Sequence, residues 1–298
     1  MTRVQSWRNG RYIAGNYLFV LPFLAFFLVF TAIPIVQAVV MSLYNWAILA
    51  KTHPFVGLDN YVRLLDDQIW WQALRNTTWF AFLSAGAITI FSLFVSLQIR
   101  KPGRGRNVYR FLFYVPVVLS VAAMGIVVGW AFNTQFGLVN ALLAPLGLQP
   151  INWLGEKELV IPTLALATLW WGFGGPMLIY LAGLQSIPRQ VYEASEIDGA
   201  GRWQTTWRIT LPLMRTSIFF VLVTQLIAHI QVFGQSYLIT GGGPGRESYT
   251  SIYYLYQTAW RYYHMGYGSA IAVSLAVFIL VVTLIQFWWN RRQAAVEY

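Results

Sequence analysis

Gln225, His229, Gln231 and Gln235 carry most of the hydrogen-bonding chemistry in the stretch from 216 to 245, which has no Asp, Glu, Lys or Arg. An amide or imidazole set among hydrocarbon is costly without a partner, so such groups turn toward a bundle interior or a water-filled path. Gln225 and His229 lie four residues apart and share one helix face, which Val232 extends by a turn. Neutral amides, an imidazole and aromatic rings suit a hydroxyl-rich solute. They equally suit hydrogen bonds between helices, worth on the order of 1 kcal/mol each in a bilayer, and the residue types admit both uses. With no Arg or Lys to grip a phosphate, the stretch modestly favours a neutral ligand.

Other chemistry is missing. No G-x-x-x-x-G-K-[ST] run occurs, so the chain is not expected to bind and hydrolyse ATP. His53, His229 and His264 have no neighbours at metal-ligand spacing, and no Ser/His/Asp set is recognisable. Cysteine is absent, which excludes disulfides and thiolate metal sites. The run Thr240-Gly241-Gly242-Gly243-Pro244-Gly245 reads as a turn rather than a phosphate cradle, because no Lys-Ser or Lys-Thr follows it. The chain is therefore expected to be no enzyme, with no catalytic, metal or cofactor residues of its own.

A second feature is a polar insert between long apolar runs. It reads Glu193-Ala194-Ser195, three residues, Gly199, nine residues, then Ile209-Thr210-Leu211-Pro212. Residues 192 to 197 favour helix, and Gly199 and Gly201 make its continuation costly. Val191, Ala194 and Ile197 recur three apart on one side, while Glu193 and Glu196 project from another. Small side chains allow close approach by a partner, and acids such as Glu193 and Asp198 offer charge contacts. Pro212 fits the first turn of a following helix.

Hydropathy gives the elements that position these groups. Of the 298 residues 57% are hydrophobic and 10% charged, too apolar for a soluble domain of this length. Windows free of charge predict six spans of about 17–44, 76–98, 108–132, 159–185, 213–239 and 266–289, each near the roughly 20 residues a bilayer helix needs. The fold class is all-α integral membrane. Residues 133 to 155 are read as a loop, since Asn133, Gln135, Asn140, Gln149 and Asn152 would be stranded in lipid. The first run is read as a retained helix rather than a signal peptide. Pro22, Pro34, Pro116 and Pro176 each remove a backbone donor within a span and are expected to kink it.

Fourteen of the twenty Lys and Arg fall in the N-terminus, the loop at 100–110, the polar insert and the tail. All of the net +10 lies on that side, which is taken as cytoplasmic, with both termini there. Residues 1–15 form the cytoplasmic N-terminus, 16–290 the transmembrane domain and 291–298 the tail. Basic charge of this kind serves topology and lipid headgroups, so membrane lipid is an expected partner and nucleic acid is not. On the opposite side, Asp59 or Asn60 is expected to cap a short interfacial helix, with Trp70 and Trp71 at headgroup depth.

The spacing E-A-A-x3-G-x9-I-x-L-P in the insert resembles the signature loop of permease subunits of binding-protein-dependent ABC importers. Ser195 stands where the second Ala usually sits. Gly183-Leu184-Gln185-Ser186-Ile187-Pro188, the segment from Tyr192 to Trp203, and the segment from Val56 to Tyr61 resemble the sugar-importing branch, the maltose-type and glycerol-phosphate-type permeases. The resemblance implies a cytoplasmic coupling helix between spans 4 and 5, seated in an ATPase subunit. Glu193, Ala194, Ser195, Asp198, Gly199, Ile209, Leu211 and Pro212 would carry that contact. It implies as partners a second homologous permease, two ABC ATPase subunits bearing ATP and Mg, and an extracytoplasmic solute-binding protein, at a prokaryotic inner membrane. It also implies a substrate path past Gln225, His229 and Val232, with Gly172, Gly175 and Trp171 beside it. Val232 cannot replace a polar contact, which points to a different ligand or pose. A secondary transporter driven by an ion gradient, or the same role with glycerol phosphate or another polar solute, stands as the alternative. Against the first, no charged residue lies well inside a span.

Overall fold

The computed structural model describes residues 19–100, 103 and 105–294. The expected N-terminal segment 1–15, Tyr17, Leu18, Lys101, Arg104 and residues 295–298 of the tail lie outside them. Backbone contacts divide the chain into two compact units, Met1–Asp66 with Leu255–Ser274, and Asp67–Tyr254 with Leu275–Tyr298.

The first unit holds α1 (Phe19–Met41), long and apolar enough to cross a membrane and with none of its most apolar stretch buried. A π turn at Leu28–Ala32 precedes Pro34, whose ring would crowd the carbonyl four residues back; the wider turn gives it room. Beyond it, α2 (Asp59–Asp66) is the expected short helix. Asn60 does not cap it. Its amide instead donates to the carbonyls of Ser42 at 2.8 Å and Tyr44 at 3.0 Å, tying the helix to the end of α1.

The second unit is built around α3 (Gln68–Ile99), which begins eight residues before the expected 76 because Asp67 caps it. Asp67 Oδ1 accepts from the amides of Ile69 at 2.8 Å and Trp70 at 3.3 Å. That early start buries Trp70, 4% exposed, inside the unit, whereas Trp71 remains half open. Of the two tryptophans expected at headgroup depth, only Trp71 presents its ring at the surface of the chain. Small buried groups along α3, among them Ala73, Thr77, Ala81, Ser84, Ala85 and Ser92, let neighbouring helices come close. Ser92 donates to the Phe173 carbonyl at 2.9 Å.

Three of the expected spans are bent pairs. Helix α4 (Arg106–Val118) turns by 100° into α5 (Val121–Ala131), with Leu119 extended and Ser120 capping α5. Pro116 sits in the 3-10 turn before this break. After α6 (Leu138–Leu143) in the polar loop, α7 (Val160–Gly172) meets α8 (Gly174–Ser186) at 52°. Pro176 has no amide to give the turn behind it, and the bend falls at Phe173. Next come α9 (Arg189–Ile197), then α10 (Arg202–Leu213) and α11 (Arg215–Ile230), the last two at 65° about buried Met214. The expected span 213–239 thus begins at 202 and ends at Ile230, leaving Gln231, Val232 and Phe233 outside regular helix. Pro212 sits in the first turn of the short α-helical stretch Leu211–Leu213 that closes α10, as expected of its missing amide.

Helices α7, α8 and α11 all pack on α3. After α12 (Ser251–Tyr256), α13 (Met265–Ala294) completes the chain and contributes residues to both units. Counting α1, α3, α13 and the three bent pairs, the described residues supply six segments long and apolar enough to span a bilayer. They include no β-strand, only isolated bridges.

Candidate functional site

The end of α7, the end of α11 and the segment after it line an open cavity of about 510 Å³. Thr168, Trp171 and Gly172 line it from α7, and His229, Gln231, Val232 and Gln235 from the other wall. Of the residues anticipated for a substrate path, Trp171, Gly172, His229 and Val232 are brought together there. Gln225 and Gly175 do not line it. Gln231 and Gln235 take the place of Gln225 as the amides of the wall, because the helix ends at Ile230 and the residues after it line the cavity outside its 3.6-residue register. Gln235 is only 8% exposed, so its amide is committed to this interior.

Three of the wall residues are held in place by their neighbours. Trp171 Nε1 donates to the Leu119 carbonyl at 3.1 Å, clamping the 100° bend to α7. Thr250 Oγ1 donates to the Val232 carbonyl at 3.1 Å, fixing the irregular segment from behind. His229 packs against Phe80, ring centroids 5.9 Å apart, and its Nδ1 lies 2.6 Å from the Gln225 carbonyl oxygen. A side chain on Gly172 would meet Ile88 at 3.4 Å, ordinary contact, while one on Gly175 would meet nothing within 4 Å. The intolerant glycine is Gly174, where an added Cβ would press into the Phe113 carbonyl and stand 2.9 Å from Tyr114 Cα. No charged side chain is among the groups lining this cavity.

The polar insert forms α9 as expected, ended by Gly199 at φ +73°. The Gly199 amide donates to the Glu196 carbonyl at 3.1 Å and the Ala200 amide to the Ser195 carbonyl at 2.9 Å. That pair is a Schellman ending, which wants glycine at its left-handed position. The face that turns inward is not the apolar one: Ser195 is 4% exposed, whereas Ile197 is 86% exposed and Ala194 is open. Ser195 Oγ donates to the Tyr192 carbonyl at 2.8 Å. Glu193 is exposed and pairs with Arg189 at 2.8 Å, and Asp198 is exposed at the helix end. Ile209 and Leu211 are half-buried, and Pro212 is exposed.

Two residues not singled out from sequence anchor this insert. Thr210, fully buried in a π turn of α10, has its Oγ1 3.4 Å from the Tyr192 hydroxyl and 3.2 Å from the Thr205 carbonyl. Through them α9 is fastened to the helix that continues into α11. A signal existed, since Thr210 lies inside the spaced motif, but a motif read for its charged and small residues passes over it.

Residues 88–295 match the family described as the binding-protein-dependent transport system inner membrane component. The chain belongs to that family. Among related transport permeases, the trehalose/maltose transport system permease protein MalF of Thermococcus litoralis is 35% identical over 269 residues, 90% of each chain. The arabinooligosaccharides transport system permease protein AraP of Bacillus subtilis is 33% identical over 287 residues, 94% of this chain and 90% of that one. A solved structure of a bacterial ABC transporter involved in the import of the acidic polysaccharide alginate superposes with TM-score 0.83 at 26% identity, covering 97% of this chain and 99% of that one. As a permease of this family the chain is an integral membrane transport subunit, in keeping with its helical, apolar build.

Proposed function

We propose that the chain is the permease subunit of an ATP-driven importer for a neutral sugar or oligosaccharide, forming half of the translocation path. Relatives named for trehalose/maltose and arabinooligosaccharide transport support the substrate class. The observation that carries the reading is the cavity uniting an indole, an imidazole and two amides with no charged wall residue. Aromatic faces cover the apolar side of a sugar ring while neutral donors and acceptors meet its hydroxyls.

In this reading α9 is the coupling helix. Its open Ala194 and Ile197, with Glu193 and Asp198 beside them, meet an ATPase subunit that holds ATP and Mg, while Gly199 ends the helix and the half-buried Ile209 and Leu211 anchor α10. Nucleotide-driven approach of two ATPases then pushes α9, and Thr210 and Tyr192 pass the displacement to α10 and α11. A second homologous permease completes the path, and an extracytoplasmic solute-binding protein delivers the sugar. The basic-rich segments and both termini face the cytoplasm of a prokaryotic cell. Arg100, Arg189 and Arg202 line one cavity, which supports the assignment of those two loops to one side.

The test is uptake of labelled oligosaccharide by vesicles holding the assembled complex. Uptake is expected to require ATP, to persist when ion gradients are collapsed, and to fall with Trp171→Ala plus His229→Ala while the subunits stay associated. Uptake unaffected by removal of ATP would overturn the reading.

A further inference from the structure

A second cavity, of about 720 Å³, opens beneath α9. Arg100 at the end of α3, Arg189 and Tyr192 of α9, and Arg202 at the start of α10 line it, with Gln185 from α8 and one acid, Glu196. Three guanidiniums against one carboxylate leave its wall net cationic. Arg189 already pairs with Glu193 at 2.8 Å, but Arg100 and Arg202 have no carboxylate within ion-pair distance among the described residues. Arg100 lies instead over the Tyr192 ring, 5.2 Å from its centroid, with Nη1 3.5 Å from the hydroxyl. Behind the wall, the Gln185 amide faces the guanidiniums of Arg106 and Arg110, which only donate, so its oxygen is assigned to them, at 3.1 and 3.0 Å, and its NH2 is left as a further donor. A concave site furnished with donors and short of acceptors matches an anion with several oxygens.

We propose that this cavity binds a phosphate-bearing anion, held chiefly by Arg100 and Arg202 with Gln185 and Tyr192 as neutral donors. A phosphate answers forked guanidiniums from more than one direction, as a lone carboxylate does not. Such an anion bridges the end of α3, the end of α8, Tyr192 of α9 and the start of α10, so its occupancy braces α9 against the bundle. That regulatory consequence rests on the reading of α9 as the coupling helix; the binding does not. Either a soluble phosphate compound or a phospholipid headgroup has this chemistry.

The test uses the full chain, solubilised with the subunits that co-purify with it, and two probes: inorganic phosphate and short-chain phosphatidylglycerol. Phenylglyoxal modification of arginines is followed residue by residue in the unmutated protein. Bound phosphate is expected to slow modification of Arg100 and Arg202 about tenfold and to leave Arg208, on the same helix but outside the cavity, unchanged. Arg100→Gln with Arg202→Gln is expected to weaken binding by about tenfold or more. Protection by inorganic phosphate assigns a soluble ligand, and protection by the lipid alone assigns a headgroup. The proposal is overturned if neither probe protects, or if protection appears only after the ATPase subunits are stripped away, which would make the cavity a socket for a partner's acidic side chain. Protection that persists in a complex whose uptake ignores ATP would defeat the proposed function and leave the anion site standing.

Discussion

His229 Nδ1 sits 2.6 Å from the carbonyl oxygen of Gln225, one turn back on the same helix. A carbonyl only accepts, so Nδ1 carries the proton, and in the neutral ring Nε2 is left as an acceptor on a residue that lines the cavity. Gln225 therefore meets His229 through its backbone, and its side chain does not line the cavity. His229→Ala is expected to raise the apparent KM for sugar by roughly 3- to 10-fold, the value of one neutral hydrogen bond, while Gln225→Ala leaves it unchanged. Uptake kinetics of the two variants in the same vesicles check this. Equal effects would return Gln225 to the site.

Gly199 carries φ +73°, a conformation that costs other L-residues about 1–2 kcal/mol, with Asn the most tolerant. No atom crowds it, so strain rather than collision governs substitution. Gly199→Asn is expected to keep much of the uptake and Gly199→Val to lose most of it. Gly199→Asp, which adds charge at the partner surface, is expected to abolish transport and weaken ATPase co-purification while membrane insertion survives. Uptake and co-purification measured on the same preparations decide it.

Adjacent glycines at the bend between α7 and α8 should behave oppositely. Gly174→Ala drives a methyl into the Phe113 and Tyr114 backbone, which cannot swing aside, and is expected to cost about 1–3 kcal/mol. Gly175→Ala meets open space and is expected to be neutral. Thermal unfolding of the solubilised variants separates them, and equal melting temperatures would contradict the close approach of α4 to α8.

Long apolar runs make the spans legible, and Gly199 with its neighbours makes the turn after α9 legible, because both signals are local. The bends at Leu119, Phe173 and Met214 are not, since nothing in hydropathy distinguishes a straight span from two halves, and Pro116 and Pro176 mark only the neighbourhood. The spacing of Val191, Ala194 and Ile197 puts them on one helix, where Val191 is half-buried and the other two are exposed, and periodicity does not say which face turns inward. Ser195 takes that place because its hydroxyl satisfies itself on the Tyr192 carbonyl, freeing the apolar face for another surface. Helical spacing assigns Val232 to the cavity, but the helix breaks at Ile230 and Val232 lines the wall from the non-helical stretch that follows. Helix α3 starts earlier than hydropathy indicates because Asp67 caps it, and hydropathy alone does not register a cap.

Accessibility of Ile197 tests the central claim, that α9 receives force from a separate ATPase, most directly. The sequence has no cysteine, so Ile197→Cys introduces a single thiol at a site 86% exposed in the chain alone. With a membrane-impermeant thiol reagent, the account predicts labelling in inside-out vesicles only, slowed about tenfold or more when the ATPase subunits are bound. Labelling from the outer face, or labelling indifferent to the ATPase subunits, would contradict it.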